Sequence, residues 1–321
     1  MRAKLLILTA FCVLAIVAAG ILAADAPFGV VIKEPFEAHQ AKGGGGKSGS
    51  TLIAYHGGLV MTGAPVNAYV IYYGAVDDST QGIVNQFYSD LSNAPEYAVN
   101  QTYTDKSGAS IAPNFYFNPI AYGPGSPTGS LYEDSDASQG SSLGSNTIPA
   151  IVQHAIQTGG LPADQNGVYF VITAPDIKVA GFCKSFCAYH TSSTSIAANL
   201  HIRYALVPDP GQACTGCDGN FSLNQTITPS GNRGADEMTD SIMHELSESV
   251  TDPDIGAWYT SGGAENGDLC NYVYGSNLPT VPKGYPGAGA YYNFSPAHGR
   301  YYLVQQIWTN IAPQACLAAP R

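Results

Sequence analysis

The chain has 321 residues, of which 12% are charged, and its formal net charge at pH 7 is −11. An acidic chain with so few basic residues is a poor match for nucleic acid or for anionic membrane surfaces, and neither is expected as a partner. The many glycines and tyrosines, together with seven cysteines, are typical of an exported, loop-rich domain.

The N-terminus has the features of a secretory signal. Arg2 and Lys4 precede an apolar run from Leu5 to Ala24, and Ala24-Asp25-Ala26 is a cleavage site of the A-x-A type. We predict a signal peptide over residues 1–26, with an uncleaved membrane anchor as the alternative. The mature protein is then expected to be secreted and extracellular, with no membrane partner. Residues 27–50 contain four consecutive glycines and are predicted to be a flexible linker.

Residues 51–321 are predicted to form a single globular domain of alternating strands and helices. Apolar, β-rich runs and alternating segments predict strands over 52–58, 68–73, 114–120, 167–173, 182–190, 199–207 and 301–308. Helical spacing of apolar residues predicts helices over 82–91, 148–157 and 236–251. This order favours an α/β (α+β) fold, a mixed β-sheet with packed helices, in the general order of zincin catalytic domains.

Six cysteines follow the predicted signal peptide, and an even number in an exported chain indicates disulfides that staple the fold. We expect two local pairs, Cys183–Cys187 and Cys214–Cys217. The third pair, Cys270–Cys316, is expected to tie the C-terminal tail to an acidic loop. The alternative for the first four cysteines is a zinc site.

The third helix carries the clearest chemical motif, His244-Glu245-Leu246-Ser247-Glu248. His244 and Glu248 are four residues apart and therefore lie on one face of the helix. An imidazole and a carboxylate one turn apart can bind one metal ion, and Glu245 beside them is placed to act as a general base on a bound water.

The motif leaves the metal and its third ligand open. Glu248 stands where the HExxH motif has its second histidine, so zinc is one choice and calcium the alternative. Asp254 has the ten-residue spacing of a metzincin-type third ligand, whereas Glu265 and Asp268 suit a thermolysin-type arrangement. Pro253 is expected to end the helix.

An ordinary amphipathic helix is the competing interpretation of the same segment. Met238, Ile242, Leu246 and Val250 form one apolar stripe. At about 100° per residue, His244 and Glu248 lie nearly opposite that stripe and would simply face water.

Several short motifs, each weak alone, occur together in a fixed order. They are YHGGLVMTG at 55–63, GFCKSFCAYH at 181–190, CTGC at 214–217, TDP at 251–253 and GRYYL at 299–303. In this combination the chain resembles the EXORDIUM / phosphate-induced protein family from about Thr51 to Cys316.

The resemblance implies a secreted protein of the apoplast or cell wall. Plant members of the family are linked to growth, and no enzymatic activity is established for the family. Plant members typically lack the His-Glu-x-x-Glu of residues 244–248, so this chain resembles microbial relatives and a plant growth role is not carried over.

Three hypotheses follow. In the first, the chain is a zincin-like metal-dependent hydrolase of peptide bonds, with Glu245 as the base and with His244, Glu248 and either Glu265 or Asp254 as ligands. In the second, it is a non-enzymatic protein that binds an extracellular protein or a cell-wall polysaccharide. In the third, the acids between Asp252 and Asp268 form a purely structural calcium site.

Overall fold

The structure is a computed structural model that describes residues 31–32, 52–211, 214–296 and 299–320. Its strands are β1 Val31–Ile32, β2 Ala54–Tyr55, β3 Val66–Tyr73, β4 Phe115–Tyr116, β5 Leu131–Asp134, β6 Ser142–Leu143, β7 Gly167–Thr173, β8 Lys178–Val179, β9 Tyr189–Ala197, β10 Leu200–Pro208, β11 Trp258–Tyr259, β12 Ile307–Trp308 and β13 Cys316–Leu317. Its α-helices are α1 Asp78–Leu91, α2 Pro95–Ala98, α3 Thr147–Gln157, α4 Gly219–Asn224 and α5 Arg233–Thr251. Short 3-10 helices span Val99–Thr102, Thr215–Cys217 and Asp268–Cys270.

Seven strands form the central sheet, in the order β1-β9-β10-β7-β3-β4, and β5 also pairs with β3. β10, β7, β3, β4 and β5 run parallel to their neighbours, whereas β9 and β1 are added antiparallel at one edge. Parallel strands are covered on both faces, which explains why every residue of β7 is apolar or buried. The predicted mixed sheet with packed helices is confirmed.

Two of the longer helices pack on the sheet. α5 packs on β9 and β10 and also contacts α1, while α3 packs on β7, β9 and β10. Within the described ranges, no helix has both the length and the apolar character needed to cross a bilayer. The predicted signal peptide lies outside the described residues, as does the predicted linker apart from β1.

Several element boundaries differ from those predicted, because capping residues set them. α1 begins at Asp78 because the Asp77 carboxylate accepts hydrogen bonds from the Thr80 amide and hydroxyl. α5 begins at Arg233 because the Asn232 side chain accepts from the Ala235 amide. The strand predicted over 182–190 is wrong in extent, since β9 begins only at Tyr189. The strand predicted over 301–308 shrinks to β12.

The loop that replaces the start of the predicted strand is held by disulfides. Cys183 pairs with Cys214 and Cys187 with Cys217, at Cα–Cα distances of 5.8 and 5.2 Å. The two predicted local pairs are therefore wrong, and the sulfurs do not form the alternative zinc site. The crossed bonds join the loop before β9 to the loop after β10. Closing these longer loops restricts the unfolded chain more than local pairs would. The predicted Cys270–Cys316 bond is present.

Candidate metal centre

The helix that carries the HELSE motif is buried on all sides. Every residue from 234 to 251 is buried, and His244, Glu245 and Glu248 are each 0% exposed. One face lies on the sheet. The opposite face is covered by chain segments that follow the helix. The backbone N–H of Gln305 donates to the Asp240 carboxylate at 2.6 Å, and the backbone N–H of Asp268 donates to the Glu248 carboxylate at 3.0 Å. The interpretation of His244 and Glu248 as a water-facing pair is therefore wrong.

Around His244, two carboxylates approach one ring nitrogen. Nε2 of His244 lies 3.0 Å from Oε1 of Glu248 and 3.6 Å from Oδ1 of Asp268. On the other side of the ring, Nδ1 is 3.0 Å from Oε1 of Gln305, whose amide nitrogen donates to the Gly267 carbonyl at 2.8 Å. That second bond fixes the amide with its oxygen toward the ring, so Nδ1 carries the proton and Nε2 faces the carboxylates.

A second histidine enters the cluster from the sheet. His190, on β9, is buried, and its Nε2 lies 3.2 Å from Oε2 of Glu265 and 3.7 Å from Oε2 of Glu248. Glu248 thus has one oxygen toward each histidine. Ligand atoms of His190, Glu245 and Glu248 lie within 4.8 Å of one another, as do those of His244, Glu248 and Asp268. The two triads share Glu248.

One glycine makes room for this arrangement. Gly267 precedes the 3-10 helix Asp268–Cys270. A Cβ added at Gly267 would lie 2.8 Å from Oε1 of Glu248 and 3.0 Å from the His244 ring. The first distance is shorter than real Cβ contacts and the second is tighter than most, so a side chain here would displace Glu248 and His244 from their positions. The loop can close over the cluster because residue 267 has no side chain.

The cluster brings more acidic than basic groups into a buried space. Burial raises the pKa of Glu265 well above its ordinary value, and the neighbouring Glu248 carboxylate raises it further. Burial lowers the pKa of His190 to about 4. Burial also acts to lower the pKa of His244, but the Glu248 carboxylate outweighs it and raises that pKa to about 10. The His244 charge in turn outweighs burial at Glu248 and lowers its pKa.

Oε2 of Glu248 and Oε1 of Glu265 are buried oxygens of the cluster that have no hydrogen-bond partner within the described residues. A buried carboxylate oxygen without a donor costs about 1–3 kcal/mol or more. Both oxygens belong to side chains that contact the Nε2 atom of a histidine. A cation among them would supply the missing partner, and imidazole and carboxylate are ligand types that zinc accepts.

The structure places some of the predicted ligands in the cluster and others outside it. It brings together His244, Glu248 and Glu265, with Glu245 and Asp268 beside them. The prediction of Asp254 as a ligand is wrong. Its side chain lies outside the cluster, where Arg203 donates to both of its carboxylate oxygens, at 3.0 and 2.9 Å. The ten-residue spacing fails because α5 ends at Thr251 and the turn after it carries Asp254 to the sheet.

From the sequence, His190 is expected to be structural rather than a ligand, but the structure places it in the cluster. It joins the cluster through the pairing of β9 with β10, where His190 lies opposite Ala205, and through the packing of α5 on both strands. Nothing in the local spacing of residues around His190 indicates this. The one available signal was its place at the end of the cysteine-rich GFCKSFCAYH motif, residues 181–190.

Comparison with known proteins assigns most of the chain to one family. Residues 53–319 match the family described as "Phosphate-induced protein 1 conserved region". The chain belongs to the phosphate-induced protein 1 family. It is 30% identical over 288 residues to Protein EXORDIUM-like 5 of Arabidopsis thaliana, covering 82% of this chain and 77% of that protein. It is 24% identical over 282 residues to Protein PHOSPHATE-INDUCED 1 of Nicotiana tabacum, covering 80% and 85%.

The resemblance predicted from short motifs is therefore confirmed. The part of this phosphate-induced protein 1 family member that matches includes every residue of the buried cluster. No solved structure is significantly similar to the chain, so the chemistry of the cluster has to be argued from its own geometry.

Proposed function

We propose that this protein is an extracellular metalloprotein in which His190, His244, Glu248 and Glu265 hold a zinc ion. The observation that carries the proposal is the position of Glu248 between the two buried histidines, with an oxygen toward each ring nitrogen. An ion bound there offsets the mutual repulsion of the carboxylates, which is strong in a buried space of low dielectric.

The spacing of the donor atoms supports an ion of zinc's size. Among the four proposed ligands, the Nε2–O distances are 3.0, 3.2 and 3.7 Å. Four donors arranged tetrahedrally at zinc's bond length of about 2.0–2.1 Å are about 3.3 Å from one another. Two imidazoles favour zinc over calcium, because calcium takes oxygen ligands.

Hydrolysis is the activity that this ligand set supports best. Two histidines and one glutamate are a ligand set of zinc hydrolases, in which the metal lowers the pKa of a bound water. Glu245 follows His244 on α5, and its carboxylate is within 4.8 Å of the ligand atoms of His190 and Glu248. It is therefore placed to accept the proton of that water. The motif helix α5 follows the last long strand of the central sheet, β10, after two short helices, an order that the zincin hypothesis would require.

A purely structural ion is the second candidate, and the burial of the cluster favours it. His190, His244, Glu248 and Glu265 are each at most 1% exposed. Structural zinc sites are closed, whereas catalytic sites keep a position open to water and substrate. This candidate places the same ion at the same residues, and it differs only in assigning no turnover.

Two features support an extracellular location. The described residues contain three disulfides, and these persist in oxidising compartments. The family to which the chain belongs includes EXORDIUM-like proteins, which agrees with the predicted signal over residues 1–26.

Metal content of the purified protein tests the proposal. We expect one zinc per chain by inductively coupled plasma mass spectrometry, and a loss of at least tenfold in affinity for His190→Ala and His244→Ala. Asp254→Asn is the matched control, because it removes a nearby charge outside the cluster and should leave the zinc content unchanged. Absence of zinc from the wild type after incubation with zinc salt would refute the proposal.

Glu245→Gln separates the two candidates. The substitution keeps the size of the side chain and removes its basicity. If the centre is hydrolytic, the variant keeps its zinc and loses cleavage of a fluorogenic peptide mixture by about 100-fold or more. If the wild type binds zinc and cleaves nothing in such a mixture, the result favours the structural candidate.

A further inference from the structure

A second place in the molecule has the form of a ligand site, and its wall contains none of the proposed metal ligands. It is a cavity of about 390 Å³, within the range of small-molecule sites, about 300–1,000 Å³. One side of it is a face of α1, where Asp78, Gly82 and Gln86 recur every four residues. Other parts of the wall come from the loops that carry Tyr285 and Tyr301. The zinc proposal assigns no role to these residues.

Gly82 lies inside a helix at a position where packing does not require a glycine. α1 spans Asp78–Leu91, and a glycine in a helix interior lowers stability relative to alanine. A Cβ added at Gly82 would meet no atom of the described residues within 4 Å. The missing side chain therefore serves the cavity rather than the fold, because it leaves the helix backbone open to close contact with a ligand.

Tyrosine rings form an aromatic part of the cavity wall. Tyr285 is 44% exposed, and its ring centroid lies 5.3 Å from that of Tyr301, with the planes at 78°. The Tyr301 ring packs in turn on Tyr292, at 4.8 Å between centroids. Gly299 permits this packing, since a Cβ there would lie 2.9 Å from Cε1 of Tyr285. The rings hold one another in place, and the exposed one can stack on the apolar face of a ligand.

One carboxylate fixes the polar part of the wall. The Asp90 side chain is 6% exposed and accepts a hydrogen bond from Nε2 of Gln86 at 3.0 Å. Nε and Nη2 of Arg300 donate to it at 2.7 and 2.8 Å, and the Tyr302 hydroxyl donates at 2.9 Å. All three donor residues line the cavity. Because these side chains are already ordered, a ligand that contacts them loses little affinity to their ordering.

We propose that this cavity binds a neutral saccharide. A sugar ring has an apolar C–H face, which fits an exposed tyrosine ring, and hydroxyl groups around its edge that both donate and accept hydrogen bonds. The wall has polar side chains of both kinds, on Asp78, Ser79, Gln86 and Ser230. The inference does not depend on the zinc centre. It assigns a place and a ligand class to the polysaccharide binding that the sequence left as an alternative.

The charges of the wall indicate a neutral ligand. The charge of Arg300 is paired with Asp90 through two hydrogen bonds, whereas Asp78 adds an exposed negative charge and the whole chain has a net charge of −11. Both features disfavour an anionic polysaccharide. A proline-rich peptide is the other ligand that suits an aromatic groove. It offers few donors to the Asp78 carboxylate, because proline has no N–H.

Isothermal titration calorimetry of the full chain tests the proposal. The neutral probes are cellohexaose, xylohexaose and chitohexaose, and we expect at least one of them to bind, whereas anionic hexagalacturonate should not. Tyr285→Ala should weaken that binding by about tenfold or more. Tyr116→Ala is the matched control, since Tyr116 is 43% exposed and does not line the cavity. Absence of binding by all three neutral probes, or binding only of hexagalacturonate or polyproline, would overturn the proposal.

Gly82→Ala separates loss of the site from loss of the fold. We expect it to weaken saccharide binding by about tenfold or more, because the new methyl group occupies the cavity. It should also raise the melting temperature, because alanine favours the helix and its Cβ meets no described atom. Equal saccharide affinity of Gly82→Ala and the wild type would place the ligand elsewhere and refute the assignment. Zinc content is measured separately, so either proposal can fail while the other stands.

Discussion

The space at Gly267 gives a sharp test of the centre. Gly267 has φ −71° and ψ −46°, which is right-handed helical backbone that alanine adopts without strain. The effect of Gly267→Ala is therefore steric. The new Cβ would lie 2.8 Å from Oε1 of Glu248 and 3.0 Å from the His244 ring, where ordinary contact begins near 3.4 Å. To relieve this clash, the Glu248 and His244 side chains must shift by about 0.4–0.6 Å, which is more than the ±0.2 Å that metal–ligand distances tolerate.

We therefore expect Gly267→Ala to weaken zinc binding by about 10–100-fold, which corresponds to about 1.4–2.8 kcal/mol. The assay is competition with a chelator of known zinc affinity. Overpacking should also lower the free energy of unfolding of the metal-free protein by about 1–3 kcal/mol. Gly262→Ala is the control, since its Cβ would meet only the Thr260 hydroxyl at 3.8 Å. Equal zinc affinity of the wild type and Gly267→Ala would show that the cluster is not the binding site.

Three further predictions concern stability. Chelation should lower the melting temperature by about 10 °C, since an ion at 1,000 times its Kd adds about 4 kcal/mol to the free energy of unfolding. The Glu248→Gln variant should melt at the same temperature with and without chelator. Burial raises the pKa of Asp236 from 3.8 to about 7, so the folded state holds a proton that the unfolded state releases. The contribution of Asp236 to the free energy of unfolding therefore falls as pH rises from 4 to 7, by up to about 1.4 kcal/mol per pH unit. Urea unfolding should show this loss in the wild type relative to Asp236→Asn. Parallel stability curves against pH for the two proteins would contradict it. Replacing Cys270 and Cys316 by serine should cost about 2–5 kcal/mol and weaken zinc binding, because this disulfide holds the 3-10 helix that carries Asp268; unchanged zinc affinity would mean that other contacts position the helix.

The core of the sheet and most helices could be predicted from the sequence, because their signals are local. The seven-residue apolar run of β7 and the helical spacing in α3 depend only on neighbouring residues. The predicted and observed ranges agree to within a few residues there. The two-residue strands could not be predicted, since their pairing depends on partners far along the chain.

The cluster was only partly predictable for the same reason. His244 and Glu248 are one helical turn apart, so their proximity is a local property of α5. The apolar stripe on the same helix indicated that the opposite face would meet water. That inference failed because the segments holding Asp268 and Gln305 cover this face. His190 and the crossed disulfides depend on strand register and loop closure, for which single-sequence spacing has no signal.

A catalytic ion and a structural ion can be distinguished by releasing β1, the strand that pairs with the backbone of His190. The segment over α5 is tied down by Cys270–Cys316, so opening the centre on that side would require local unfolding. β1 pairs with only two residues of β9, so its release breaks few backbone hydrogen bonds. A hydrolase with this geometry should therefore cleave fluorogenic peptides faster once Val31→Pro and Ile32→Pro release the edge, and Glu245→Gln in that background should abolish the gain. A structural ion gives no cleavage before or after release, and an increase that survives Glu245→Gln would show that the activity does not come from this centre.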